Sequence, residues 1–413
     1  MRKKWSKLDN AAKIFPPTSN KKDPKVFRFV CSLKENIDGN ILQEATNEAL
    51  ELFPNFRSVL KRGFFWHYFE QINHNPTVKE EKKAICRPLY PSQKKKLLFR
   101  VNYYKNRINL EVYHALSDGT GALEFLKAIV YSYLNKKYAI GGLDKLEYDA
   151  SLYEKNADSF NKYYQSTSSI EKETEGTPYH IKGDKLSDYR FRVINGYMTT
   201  TGMLALAHQY DTTLTGLVIS TYIWAIRENM SLKEKKKSIY VDIPVNLRKY
   251  FKSQTARNFF SVIKLNYHEE YDDFESIVIY VNKFLKKELK KENLFKKMNK
   301  FATIEHNFLI RLIPLFIKNV ILKIANQISS RNITTSVSNL GVITVPDMMQ
   351  SYIESFEVFV STNKMQICLC SYQEILVISF TSVFVNTDII KDFYRKLSSM
   401  GIDITIISNQ IDE

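Results

Sequence analysis

A mixed α/β architecture, built as α+β two-layer sandwiches, is the fold class this sequence predicts. Two observations carry it. Segments with two-residue apolar alternation are interspersed with segments of helical period in both halves of the chain. The halves are separated by a polar stretch, residues 139 to about 186, with little sustained periodicity and with turn-forming residues at Gly141-Gly142 and Thr177-Pro178. A chain of 413 residues suffices for two domains of ordinary size. It divides into an N-terminal domain at 1–140, a crossover at 141–186 and a C-terminal domain at 187–413.

Residues 25–33 read as a strand. Asp38-Gly39-Asn40 then opens a helix whose apolar positions Leu42, Ala45, Ala49, Leu50 and Leu52 precede Pro54. Residues 64–69 read as a second strand, with its aromatic side chains assigned to the core. Residues 97–104 and 108–114 form a hairpin about the polar connection Lys105-Asn106-Arg107. In its second strand Ile108, Leu110 and Val112 alternate with Asn109, Glu111 and Tyr113, the pattern of a strand with one buried face. Leu123, Leu126, Val130, Tyr133 and Leu134 then recur at helical spacing. A short helix is expected near 159–164, inside the crossover.

In the second half, residues 203–209 and 214–227 read as helices, and 238–243 and 260–267 as strands. Residues 277–300 read as one long, lysine-rich helix. Residues 308–322 are the most hydrophobic window, but Arg311, Pro314 and Lys318 interrupt it and it falls short of a membrane span. A basic, apolar helix of this kind can touch a membrane surface or an acyl chain; the reading adopted is a helix buried against the second sheet. Strands at 334–345, 356–361, 365–371 and 375–381 and a helix at 388–400 complete the pattern.

The formal charge is +16, from 60 Lys and Arg against 44 Asp and Glu. Such an excess suits anionic partners, among them a phosphate-bearing cofactor, and equally suits a solvated lysine surface. Lys283, Lys286, Lys287, Lys290 and Lys291 read mostly as a solvated helix face. No nucleic-acid-binding motif accompanies the charge, so no nucleic-acid partner is expected. Cys31, Cys86, Cys368 and Cys370 are too scattered for a disulfide framework, and no Cys/His cluster has zinc spacing, so no metal is expected. The N-terminus shows no apolar signal segment, which with the cysteine usage points to a reduced, cytoplasmic setting.

The stretch from Glu111 to Gly121 joins the strand pattern to the helix pattern. His114 carries the parity of the buried set, so the strand delivers its imidazole inward, where a group titrating near neutrality can act as a general base. Asp118 is placed by the turn to point elsewhere, into a salt bridge that fixes the loop. A core histidine followed by a capping aspartate gives the same letters.

His114-Ala115-Leu116-Ser117-Asp118-Gly119 resembles the His-x-x-x-Asp-Gly motif of the acyltransferase superfamily. That superfamily includes chloramphenicol acetyltransferase, peptide-synthetase condensation domains and alcohol acetyltransferases, and the chain is most similar to the bacterial alcohol acetyltransferase-like branch. Further stretches fit in the expected order: residues 7–17, Phe53-Pro54-Asn55-Phe56-Arg57-Ser58-Val59-Leu60, Pro244-Val245-Asn246-Leu247-Arg248, Arg257-Asn258-Phe259-Phe260 and Ser338-Asn339-Leu340-Gly341. Condensation domains usually carry two adjacent histidines; here the first position is Tyr113, which favours the simpler branch.

The resemblance implies two chloramphenicol acetyltransferase-like domains with a tunnel between them and His114 near its middle. Acyl-CoA, such as acetyl-CoA, and a small alcohol or amine acceptor would enter from opposite ends, with no resident cofactor. His114, Asp118 and Gly119 form the catalytic set. Arg248 is the implied partner of Asp118, with Arg57, Arg100 and Arg257 as rivals. Ser338 and Asn339, at a polar strand end in an apolar region, lead as oxyanion donors. Asn246 and Asn258 are assigned to shaping the tunnel or its loop. No Gly-x-Ser-x-Gly elbow suggests a serine hydrolase. A thioester on an acidic acyl carrier protein is the alternative donor, a non-catalytic binding module of the same fold the alternative class, and a monomer the expected state.

Overall fold

The structure, a computed structural model, describes residues 4–90, 96–141, 154, 157–165, 176–187, 190–268 and 273–409. Much of the crossover expected at 141–186 therefore lies outside the described residues.

The N-terminal half folds around a five-stranded sheet in the order β12 (Ile353–Val360), β2 (Val26–Leu33), β7 (Arg107–Tyr113), β6 (Phe99–Tyr104) and β5 (Lys79–Glu80). The Asp38 carboxylate accepts from the Asn40 and Ile41 N–H groups and so starts helix α1 (Gly39–Leu52) at the expected place. Helix α2 (Gly119–Tyr138) packs on α1 and lies over β2 and β7. A small sheet of β1 (Trp5–Lys7), β4 (His67–Gln71) and β3 (Ser58–Arg62) stands beside it.

The C-terminal half supplies a seven-stranded sheet: β10 (Phe260–Tyr267), β9 (Ile239–Asn246), β11 (Thr335–Val342), β13 (Met365–Tyr372), β14 (Ile375–Ser382), β8 (Arg192–Thr199) and β15 (Thr405–Ser408). β11 runs parallel to both of its neighbours, and the other pairings are antiparallel. After α3 (Thr200–Gln209) comes α4 (Leu214–Glu228), which packs against α5 (Phe274–Glu288) and α9 (Asp388–Ser399).

The five-stranded sheet is not made from the first 140 residues alone. β12 comes from the far end of the chain and pairs along its length with β2, Val358 opposite Phe29. It also packs on β13 and β14 of the larger sheet. One buried apolar cluster runs through both halves, from Leu8 to Ile402.

Four local expectations change. β7 does not have one wet face, because Asn109 and Glu111 are buried as fully as their apolar neighbours. Glu111 is affordable there because it is fully paired: it accepts from Arg28 (2.5 Å), Arg100 (2.7 Å) and the Cys86 N–H (2.6 Å). The strand expected at 64–69 begins only at His67, and Phe64 and Phe65 stand exposed on the preceding turn. The long helix expected at 277–300 is two, α5 and α6 (Lys291–His306), broken at extended Lys290, with the Asn293 amide donating to the Lys287 carbonyl left at the break (2.8 Å). The window at 308–322 is also broken, at Pro314, into α7 (Phe308–Leu312) and α8 (Leu315–Arg331), since proline cannot continue a helix. α8 is not buried against the second sheet; most of its surface is exposed.

Removing Glu111 would take from Arg28, 3 % exposed, one of its two carboxylate partners, leaving Glu81, and would leave Arg100 and the Cys86 N–H without this acceptor. Glu111→Ala should lower the unfolding free energy by about 3–5 kcal/mol, the usual cost of halving a buried ion pair. Urea denaturation against wild type measures it, and Glu111→Gln should lose distinctly less.

Candidate active site

The site forms where β7 ends, with His114 and Asp118 on the turn that follows it and Ser338 and Asn339 on β11. The His114 N–H still donates to the Lys25 carbonyl (2.9 Å), so the backbone keeps its sheet register up to the catalytic candidate. The chain then turns, and the Asp118 carboxylate caps α2 by accepting from the Gly121 N–H (3.0 Å). Gly121 leaves no room for a side chain: a Cβ there would lie 2.1 Å from the Ala256 carbonyl oxygen and 2.4 Å from Ser117 Oγ. Gly119, singled out in sequence, is less constrained, its nearest neighbour being the flexible Leu340 side chain at 2.7 Å.

Asp118 faces away from His114 and is gripped by Arg248 through both guanidinium nitrogens, at 2.8 and 3.2 Å. Its carboxylate also accepts from the Phe259 N–H (2.8 Å). Arg248 donates further to the carbonyls of Thr255 (2.8 Å) and Arg257 (2.6 Å), so one side chain ties residues 255–259 to the motif loop. The rival arginines are engaged elsewhere: Arg57 with Glu51, Arg100 with Glu111, and Arg257 with Asp9. Asn246 bridges the same parts, its amide donating to Thr120 Oγ1 (3.0 Å) and its oxygen accepting from the Arg248 N–H (3.0 Å).

His114 sits among aromatic rings. Phe15 stacks on it at 4.5 Å between centroids, with Phe27 at 5.1 Å and Phe260 at 5.6 Å. This burial pulls its pKa below the ordinary 6.5, against opposing contributions from its own backbone, Asp118 and Asn258. Its Nδ1 lies 3.3 Å from Asn258 Oδ1. The other end of that amide, Nδ2, faces the Ala115 carbonyl, which can only accept (3.5 Å), and Asp9 Oδ2 (3.3 Å). The amide orientation is thereby set, Nδ1 must carry the proton, and Nε2 keeps the lone pair a base needs.

Asp9 was not assigned a role from the sequence, although it lies in one of the matching stretches. It is fully buried; burial pushes its carboxyl up to about 6, opposed by Arg257, the Ala12 N–H and the Asn258 amide. The only local sign of it is the spacing to Ala12, whose N–H it caps at 2.8 Å. Tyr113, at the position of the missing first histidine, points out of the site: its hydroxyl meets Ser19 (2.9 Å) and its ring stacks on Tyr90.

A cavity of about 220 Å³ opens against His114 at the seam of the two sheets. Gly119, Thr120 and Asn246 line it on one side, Ser338, Asn339 and Cys368 on another, and Val358 and Val360 of β12 close it. The structure thus brings His114, Asp118, Gly119, Asn246, Ser338 and Asn339 to one cavity. The two oxyanion candidates differ in freedom. Asn339 is occupied, its amide donating to Thr215 Oγ1 (2.8 Å) and its oxygen accepting from the Gly341 N–H (2.7 Å). The Ser338 hydroxyl makes no hydrogen bond among the described residues. Cys368 is a buried thiol pushed up to about 12, inert as a nucleophile. The lysines from 283 to 291 are exposed on α5, α6 and the turn between them, away from the cavity lining. Among the described residues no group of three or more His, Cys, Asp or Glu side chains is placed to hold a metal ion.

No protein-family model and no curated protein sequence matches the chain. Solved structures do match, over almost its whole length. Trichothecene 15-O-acetyltransferase TRI3 from Fusarium sporotrichioides aligns at 10 % identity and TM-score 0.61, covering 97 % of this chain and 95 % of that one. F. sporotrichioides TRI101, solved with coenzyme A and T-2, aligns at 11 % identity and TM-score 0.61, covering 98 % and 99 %. The condensation domain of the monacolin K polyketide synthase MokA aligns at 8 % identity and TM-score 0.60, covering 96 % of each chain. At such identities the likeness is one of fold. The chain has the mixed α/β, two-domain fold of chloramphenicol acetyltransferase and the condensation domains.

Two outcomes follow from the geometry. Arg248→Ala leaves the buried Asp118 carboxylate without its counter-charge and should cost about 3–5 kcal/mol in urea denaturation, with Arg248→Lys recovering only part because it lacks the fork. On the reading that His114 is a base, Asn258→Leu should reduce kcat about tenfold, less than the roughly 10²–10⁴-fold lost with the base itself. Since the Asn258 bond raises the His114 pKa, its loss should move the acid limb of the pH–rate profile to lower pH, a shift that a purely structural lesion would not give.

Proposed function

We propose that this chain is an acyltransferase that moves an acyl group, acetyl or another short chain, from a coenzyme A thioester to a hydroxyl or amine acceptor by direct attack. The observation that carries the reading is the imidazole of His114, held on Nδ1 by Asn258, whose amide nitrogen donates to Asp9, and set against a cavity between two sheets. The fold agrees with it: TRI3 is a 15-O-acetyltransferase and TRI101 was solved with coenzyme A.

Nε2 of His114 takes the acceptor proton as the acceptor oxygen or nitrogen bonds to the thioester carbonyl carbon. The charge that collects on the carbonyl oxygen is met by the Ser338 hydroxyl, a donor at the cavity wall that makes no hydrogen bond among the described residues. Asn339 supports β11 beside it through Thr215. As the tetrahedral centre collapses, the carbon–sulfur bond breaks and the imidazolium returns its proton to the departing thiolate. No acyl-enzyme forms. Asp118 and Arg248 hold the loop without touching the reactants, and Gly119 keeps its mouth clear. A carrier-protein thioester is the second reading, favoured by the formal charge of +16 and the match to the MokA condensation domain. The domain limits that go with this reading are 1–140 and 187–413, with β12 crossing between them.

Thiol release from acetyl-CoA and longer acyl-CoAs, across a panel of alcohols and amines, tests the proposal. His114→Ala should fall by about 10²-fold or more while remaining folded, the range for loss of a general base. The base must be unprotonated to act, and burial lowers its pKa, so the acid limb of kcat/KM should lie below 6.5. Equal activity in wild type and His114→Ala would remove the histidine from the mechanism.

A further inference from the structure

α8 differs from the other long helices in what it leaves uncovered. Its inward stripe is narrow, with only Leu315 and Lys318 buried. Phe316 (68 % exposed), Val320 (56 %), Ile324 (51 %) and Ile328 (58 %) follow one another at four-residue spacing and make a single outward ridge. Ile321 widens it, and Leu312 extends it beyond Pro314. An apolar face of this length on a described surface marks an interaction site.

A second apolar element stands beside it. Phe64 is 71 % exposed and packs edge to face on Phe65, 4.8 Å between centroids. The turn is fastened to the start of α8: the Leu315 N–H donates to the Phe64 carbonyl (2.8 Å), and Lys318 Nζ donates to the Phe65 carbonyl (3.3 Å). That ammonium also sits 3.5 Å from the centre of the Trp66 ring. The two phenylalanines are therefore presented rigidly beside the first turn of the helix.

Charge selects the occupant. From residue 306 to 346 there is no Asp or Glu, while Arg311, Lys318, Lys323 and Arg331 are present. From 58 to 69 there is again none, while Lys61 and Arg62 are present. A second copy docked through the same face would oppose two acid-free basic surfaces. Anionic headgroups would instead meet the exposed Arg62, Arg311, Lys323 and Arg331, while the Phe and Ile ridge enters the acyl boundary beneath them. We propose that α8 and the Phe64–Phe65 turn form a docking surface for an anionic lipid bilayer. The helix lies in the interface and does not cross it; among the described residues no helix is long and apolar enough to cross a membrane.

Sedimentation with vesicles tests this independently of any catalytic assay. Wild type should pellet with vesicles of one part phosphatidylglycerol to two parts phosphatidylcholine, far less with phosphatidylcholine alone, and progressively less as salt is raised. Phe316→Ser combined with Ile324→Ser, both exposed and so compatible with folding, should cut the bound fraction about tenfold or more at unchanged circular dichroism and Tm. Lys323→Glu with Arg331→Glu should abolish the preference for the anionic vesicles. The proposal is overturned if wild type ignores both vesicles, or if the Phe316/Ile324 variant binds as well as wild type. It is also overturned if vesicles are ignored while that variant loses dimers seen by light scattering, or loses binding to an acidic acyl carrier protein.

Discussion

The contact between Arg248 and Asp118 is what makes two half-molecules into one site. Asp118 belongs to the turn that begins α2, and Arg248 to the short turn after β9, 130 residues later. With both guanidinium nitrogens on the carboxylate and two carbonyls of residues 255–257 on the same fork, the arginine fixes two loops at once. One side of the His114 surroundings hangs from those loops. Asn258 is brought to Nδ1, Phe259 donates to Asp118, and Phe260 flanks the imidazole. A point charge would neutralise Asp118 as well, but only a planar fork fixes the angles between four backbone and side-chain acceptors.

Two opposing influences act on the histidine, and the balance suits a base. The rings of Phe15, Phe27 and Phe260 exclude water and destabilise the imidazolium. Asn258 and the Asp118 charge favour it. Burial is the larger influence, so the resting imidazole is neutral, while the protonated form that must arise during transfer still meets a fixed dipole backed by a carboxylate. Asp9 does this at one remove. Placed directly against Nδ1 it would raise the histidine pKa strongly; with an amide between, it orients the ring and fixes the tautomer at less cost to neutrality.

Much of this was legible in sequence where the signal is local. The helix start at Asp38 and the 260–267 strand are expectations that the geometry meets at those residues, and the 108–114 strand is met as far as Tyr113, with His114 the next residue. What escaped was long-range or collective. β12 reads as a strand in any context, and nothing in residues 353–360 says that its partner is β2, more than 300 residues earlier. Glu111 looked solvated because its counter-charges, Arg28 and Arg100, come from the two neighbouring strands. Gly121 was passed over for Gly119 because the obstruction, the Ala256 carbonyl, belongs to the other half of the chain. The apolar window at 308–322 was placed inside because apolar sequence usually is; only the fold shows which face has nothing packed on it.

The distribution of charge separates the chemistry from the surroundings. The formal charge is +16, yet among the described residues no lysine or arginine lines the cavity, and the titratable lining is His114, Asp118 and Cys368. Of these, Asp118 is neutralised by Arg248 and Cys368 is held protonated by burial. A neutral, partly apolar chamber fits the proposed reaction between neutral partners, an alcohol or amine and a thioester, in which the charge created in transit would be confined to the imidazolium and the developing oxyanion. Those two charges then attract each other in a medium of low dielectric constant, where a nearby lysine would compete for the oxyanion and push the imidazole further from accepting a proton. The basic side chains of the described residues therefore lie outside the chamber, toward whatever the protein approaches, and the proton transfer proposed for His114 would take place without one of them in the wall.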